Sequence, residues 1–158
     1  MRIAIDLNGR PTEIDVGETE MLQSALRWKG GLSSVRSTCG IGVCGACTVL
    51  LDGRPVSSCL LLAPLADGHA ISTVEGLPPD DPVVEAFVEC NAFQCSYCTP
   101  GLVMAAKGLL AEHEHPTDEQ IRERLSGNIC RCGSYRAIVD AVKTASASAA
   151  PRRASPPP

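Results

Sequence analysis

The sequence predicts an α+β chain, in which a small mixed sheet covered by one helix is followed by a bundle of four short helices. Three observations carry that expectation. Apolar residues alternate in short runs up to about residue 74, and the runs are punctuated by Asn8-Gly9 and Asp52-Gly53, dipeptides that suit tight hairpin turns. Beyond that region the apolar period becomes helical. Between the two regimes lies Gly76–Pro82, GLPPDDP, a proline-rich break. The 158 residues suffice for one domain or two small ones. The expected division is 1–76, 77–145 and a tail at 146–158.

The elements follow in order. Arg2–Leu7 alternates into the Asn8-Gly9 turn, and Thr12–Val16 returns as a second strand. Met21, Leu22, Ala25, Leu26 and Trp28 fall at helical spacing over Glu20–Trp28, with Thr19 as N-cap and Gly30-Gly31 as stop. Thr48–Leu51, Pro55–Leu61 and Ala70–Val74 read as further strands. In the second half, helices are expected at Pro82–Ala92, Pro100–Glu112, Thr117–Leu125 and Ser134–Ala145. Pro100 suits a first helical turn, and Thr117-Asp118-Glu119-Gln120 is a capping box. The Ala, Ser, Pro and Arg of 146–158 suggest disorder.

Composition excludes several classes of function. The net charge of −4 is spread along the chain, which offers no basic face for nucleic acid. No run of about 18 apolar residues exists to span a membrane. The N-terminus has Asp6 and Glu13 early and lacks the layout of a secretory signal. A cytoplasmic location is therefore expected, where thiols stay reduced. That compartment, and an odd count of nine cysteines, weigh against disulfides.

Eight of those cysteines fall into two sets. Cys39, Cys44, Cys47 and Cys59 read C-x4-C-x2-C-x11-C, and Cys95, Cys98, Cys130 and Cys132 read C-x2-C-x31-C-x-C. The first spacing is that of a plant-type [2Fe–2S] loop. Gly40, Gly42 and Gly45 between its ligands let the backbone turn tightly and leave room for N–H groups to face sulfur. A four-cysteine zinc site also uses tight turns, and the second set taken alone fits zinc as well as iron. Its pairs precede Pro100 and the last helix, where helix N-termini favour negative charge. Cys90 shares a helical face with Val83 and Phe87 and is expected as a small buried hydrophobe. Arg131 and Arg136 lie near the second set. His69, His113 and His115 are not paired with cysteines as a Rieske centre requires. No nucleophile–base constellation makes the chain catalytic by itself.

The strings STCGIGVCGACTVLLDGRPVSSC, FQCSYCTPG and GNICRCGSY together resemble the small iron–sulfur subunit of the xanthine oxidase, or molybdenum hydroxylase, family. The resemblance covers about Ile3 to Val142. It implies a β-grasp ferredoxin-like domain holding one [2Fe–2S] cluster on Cys39, Cys44, Cys47 and Cys59. It also implies a four-helix [2Fe–2S] domain holding the second on Cys95, Cys98, Cys130 and Cys132. Gln94 and Cys132 match positions that contact the pterin of the molybdenum cofactor. That molybdopterin is expected in a large partner subunit and FAD in a medium one, in a heterotrimer or a dimer of heterotrimers. Electrons would pass from molybdenum through the two clusters toward FAD. Ser96 stands where many relatives have Gly, and Gly133-Ser134 where many have Thr-Gly; neither change touches a ligand. Thr99-Pro100-Gly101 is similar to members that carry a flavin subunit. The competing readings are a free-standing carrier of two clusters and a structural zinc module for assembly.

Overall fold

The computed structural model describes residues 1–148. The expected tail beyond Ser148 lies outside them. A five-stranded sheet is built from β1 (Arg2–Leu7), β2 (Arg10–Asp15), β3 (Thr48–Leu51), β4 (Arg54–Ser57) and β5 (Ala70–Ser72) in the order β2-β1-β5-β3-β4. The central pair, β1 with β5, is parallel, and the remaining pairings are antiparallel. Both hairpin turns need positive φ at each central residue, as a type I′ turn does. Asn8 and Gly9 have φ of 56° and 77°, and Asp52 and Gly53 have 49° and 79°. Leu7 pairs with Arg10 and Leu51 with Arg54 as a result.

Alternation along β1 turns Ile3, Ile5 and Leu7 to one face. There they meet Leu22, Leu26, Val49 and Ile71 in one core. The covering helix differs from expectation. One α-helical stretch, α1 (Leu22–Ser24), widens into a π-helical turn over Ala25–Lys29. The wider turn carries Trp28 off the buried face, and it is 72% exposed with Arg27 over its ring. Thr19 is not the cap. Met21 occupies that position without a side-chain bond, and Glu20 instead accepts from the Gly17 N–H at 2.9 Å. The return strand after Asp52-Gly53 is also shorter than expected. It gives way at Ser58 to a 3₁₀ turn, Ser58–Leu60.

The second region contains α2 (Pro82–Glu89), α3 (Thr99–Glu112), α4 (Asp118–Arg124) and α5 (Tyr135–Ser148). Asp81 caps α2 by accepting from Val83 N–H at 3.0 Å, and Lys107 pairs with its other oxygen at 2.5 Å. The Thr117–Gln120 capping box forms as its sequence predicts. α3 buries most of its circumference, as its run of apolar residues requires. Phe87, Leu102, Leu109, Ile121, Ile138 and Val142 form a second core. α5 continues past the expected end at Ala145 to Ser148.

The two regions are pressed together. Gly108 on α3 faces Pro55, and Gly101 faces the Gly45 carbonyl so closely that a Cβ there would collide with it. A buried Asn128 donates to Gly45 O at 3.0 Å and to Thr48 Oγ1 at 3.2 Å.

Candidate metal centres

The loop Thr38–Cys47 enters the site from Arg36, whose N–H is bonded to Ala46 O at 3.3 Å. Gly45, at φ +67°, lies against Gly127 O and Asn128, so a side chain there would be both strained and crowded. Cys47 sits at the mouth of β3. Cys59 reaches the site from the 3₁₀ turn, not from a strand as the sequence suggests. That turn is fixed by Ser58, whose Oγ donates to Cys47 O at 2.7 Å.

Among the first four thiols the contacts come in pairs. Cys39 meets Cys44, and Cys47 meets Cys59. The former pair is half-buried and the latter buried. Main-chain N–H groups of Ile41, Cys44 and Val43 face the Cys39 sulfur. With the Cys44 thiol they bring its pKa down to about 6, the Ile41 N–H contributing most. Burial, reinforced by Cys47, pushes the Cys59 thiol up to about 11.

The second four are gathered from two distant loops and again form two pairs. Cys95 and Cys132 lie 3.5 Å apart, Sγ to Sγ, and Cys98 meets Cys130. Cys95 is exposed and Cys130 buried, with Cys98 and Cys132 between these extremes. Cys98 is the N-cap of α3, in the position foreseen from Pro100. Burial pushes the Cys98 thiol up to about 12. Burial opposes ionisation of Cys130 too, but Ser134 N–H and Oγ, the Cys98 thiol and Cys132 N–H together lower its pKa. The Tyr97 N–H, followed by the Cys132 thiol, lowers that of Cys95. Ser96 adopts φ +60°, the left-handed region a glycine enters without strain.

This grouping matters chemically. A tetrahedral zinc needs four ligands about one point. Two pairs, one outward and one inward, suit a cluster of two irons that takes two thiolates on each. The donor set of each site therefore fits a [2Fe–2S] cluster.

The sites are neighbours. The N–H of Ile129, the residue before Cys130, donates to the carbonyl of Cys44 at 2.9 Å. Tyr97, between Cys95 and Cys98, reaches the segment before Cys39 and donates its hydroxyl to Ser37 O at 3.2 Å. Nothing in the cysteine spacing marks Ile129, Asn128 or Tyr97. The Tyr in C-S-Y-C is the one visible signal. Gln94 is exposed and donates from Nε2 to Cys132 O at 3.4 Å. It borders an open cavity of about 490 Å³ with Cys90, Ser134, Arg136 and Asp140. Cys90 belongs to neither set. It is half-buried beside the second core, with Thr144 Oγ1 3.6 Å away. Arg131, Arg136, His69, His113 and His115 are exposed, and His69 pairs with Asp52 at 2.6 Å. No helix among the described residues is long and apolar enough to cross a membrane.

Known proteins share this fold. Residues 5–72 match the family of 2Fe-2S iron-sulfur cluster binding domains, and residues 73–143 match that of [2Fe-2S] binding domains. The nicotine 6-hydroxylase small subunit of Paenarthrobacter nicotinovorans is 44% identical, over 90% of this chain and 87% of the relative. The nicotinate dehydrogenase small FeS subunit of Eubacterium barkeri is 43% identical, over 90% of this chain and 93% of its own length. Among solved structures, quinoline 2-oxidoreductase from Pseudomonas putida superposes with a TM-score of 0.90 at 42% identity, covering 94% of both chains. Aldehyde oxidoreductase from Desulfovibrio desulfuricans gives 0.88 at 38% identity, over 93% of this chain but 17% of the other.

Proposed function

The chain belongs to the small iron–sulfur subunits of the xanthine oxidase (molybdenum hydroxylase) family, and on that premise we propose how this component of an oxidoreductase works. Cys39, Cys44, Cys47 and Cys59 hold one [2Fe–2S] cluster, and Cys95, Cys98, Cys130 and Cys132 hold the other. The chain carries electrons from a molybdopterin centre in a large subunit toward FAD in a medium subunit. Bound in these sites, the clusters supply one-electron acceptor states between two-electron chemistry at either end. The observation that carries the reading is the pairing of thiols, seen at the second site in Cys95 with Cys132, 3.5 Å apart, and Cys98 with Cys130.

The chain's own residues fix where the clusters sit. N–H groups of Ile41, Val43 and Cys44 stabilise charge on the Cys39 sulfur, and Cys98 occupies the N-cap of α3. Gln94 and Cys132 face outward at the second site and are assigned to the pterin side of the large subunit. The first site carries exposed Ile41, Val43 and Leu60, and no acidic residue occurs from Arg36 to Leu51. An apolar rim without acidic residues supports lasting burial against another subunit over transient docking by a free carrier.

The test is metal and sulfide analysis of the chain expressed with its neighbouring genes. About four iron and four sulfide per chain, an absorbance bleached by dithionite and co-elution with a molybdenum protein are expected. Two zinc in a colourless protein overturns the cluster reading. A coloured chain that elutes alone overturns the subunit reading.

A further inference from the structure

Two side chains outside the cysteine sets meet between the sites. Arg36 precedes Cys39 by three residues, and its guanidinium lies over the Tyr97 ring, 5.3 Å from Cζ to the centroid. The Tyr97 hydroxyl donates to Ser37 O at 3.2 Å and lies 3.3 Å from Thr38 Oγ1. The second loop therefore grips the first through an aromatic ring, and a cation is held at the junction. Arg36 Nε is buried with no hydrogen-bond partner among the described residues, and Arg36 forms no ion pair among them. The sequence places no acidic residue from Arg36 to Leu51 or from Phe93 to Ala111, so no carboxylate from either loop offsets the charge.

A guanidinium stays protonated at any working pH. A fixed cation beside a centre that becomes more negative on reduction stabilises the reduced form. Its Nε–H is also an unpartnered donor three residues before the first ligand, Cys39, and N–H donors to sulfur act in the same direction. We propose that Arg36, seated on Tyr97, raises the reduction potential of the cluster held by Cys39, Cys44, Cys47 and Cys59. Tyr97 is a positioning residue: it acts only through the place it gives Arg36. This inference rests on the cluster assignment made above.

The experiment is a redox titration followed by electron paramagnetic resonance on the assembled complex, in wild type, Arg36→Gln, Arg36→Lys and Tyr97→Leu. In Arg36→Gln the first cluster's one-electron reduction equilibrium is expected to fall on the order of tenfold, about 59 mV. Arg36→Lys should fall less, because the charge remains. Tyr97→Leu should also fall, because the cation loses its seat. The second cluster should shift less than the first in each variant. An unchanged first potential in Arg36→Gln, or equal falls in Gln and Lys, overturns the inference. If Arg36→Gln loses its iron, Tyr97→Leu decides: an unshifted potential there is fatal to the proposal. Absence of clusters from the wild type would count against the assignment of the sites instead.

Discussion

Three cysteines of the first set lie within the nine residues Cys39–Cys47, and the fourth follows one hairpin later. The second set is drawn from two loops with 31 residues between Cys98 and Cys130, and α3 and α4 fill that interval. Yet the two end alike, each with an outer pair of thiols and an inner one. The first site is held mainly by local turns, which glycines make possible. The second exists only once the bundle has folded, because packing alone brings Cys95 to within 3.5 Å of Cys132. A site assembled by long-range packing inherits the stability of the whole bundle. One assembled by a loop depends on backbone conformation at a few positions.

The strongest way to break that contrast is to remove a ligand. Cys132→Ser is expected to halve the iron, from about four to about two per chain, while the first site's resonance signal survives. Turnover of the complex should drop by more than the roughly 100-fold typical of losing an outer-shell partner. If both signals vanish together, the sites form as one unit and the contrast is wrong.

Gly45→Ala probes the opposite case. The residue needs positive φ and sits against Gly127 O and Asn128, so the substitution combines backbone strain with overpacking. A loss of about 2–4 kcal/mol is expected, lowering the melting temperature by roughly 10 °C. Iron at the first site should fall before iron at the second. Calorimetry and site-resolved iron content check both statements.

Glu75 sharpens the comparison through pH. Its carboxylate ties Ser34, through Oγ and N–H, to Thr73 Oγ1 at the end of β5. Burial raises its pKa, but these donors outweigh burial and hold it below the ordinary 4.5 of a glutamate. A depressed folded-state pKa contributes stability that is complete above about 4.5 and is lost as pH falls through the folded value. The melting-temperature gap between wild type and Glu75→Gln should thus be widest near neutrality and close below pH 4.5. A gap that persists into acid refutes the tether. The smallest effect is expected of Cys90→Ala, at most about 1 kcal/mol, with all iron retained.

What the sequence reveals follows from how far each determinant reaches along the chain. The turns at Asn8-Gly9 and Asp52-Gly53, the capping box at Thr117 and the loop Cys39–Cys47 rest on residues a few positions apart, whereas the spacing of the second set taken alone fits zinc as well as iron. The π-helical turn at Ala25–Lys29 is hidden because its apolar residues also satisfy a 3.6 period. The same period places Trp28 with the inward residues. Cys59 reads as a strand residue because Ser57-Ser58 gives no warning that β4 stops. Tyr97 reaches Ser37 and Asn128 reaches Gly45 across separations of 60 and 83 residues. Contacts at that range leave no period in a single sequence.

The bond from Ile129 N–H to Cys44 O has a genetic corollary. Both of its atoms belong to the peptide backbone, so nearly any codon change at either position leaves them in place. Proline at 129 is the exception, since it alone lacks the hydrogen. The neighbourhood of the two sites is thereby insulated from side-chain drift, and a scan of all substitutions at 129 should single out one.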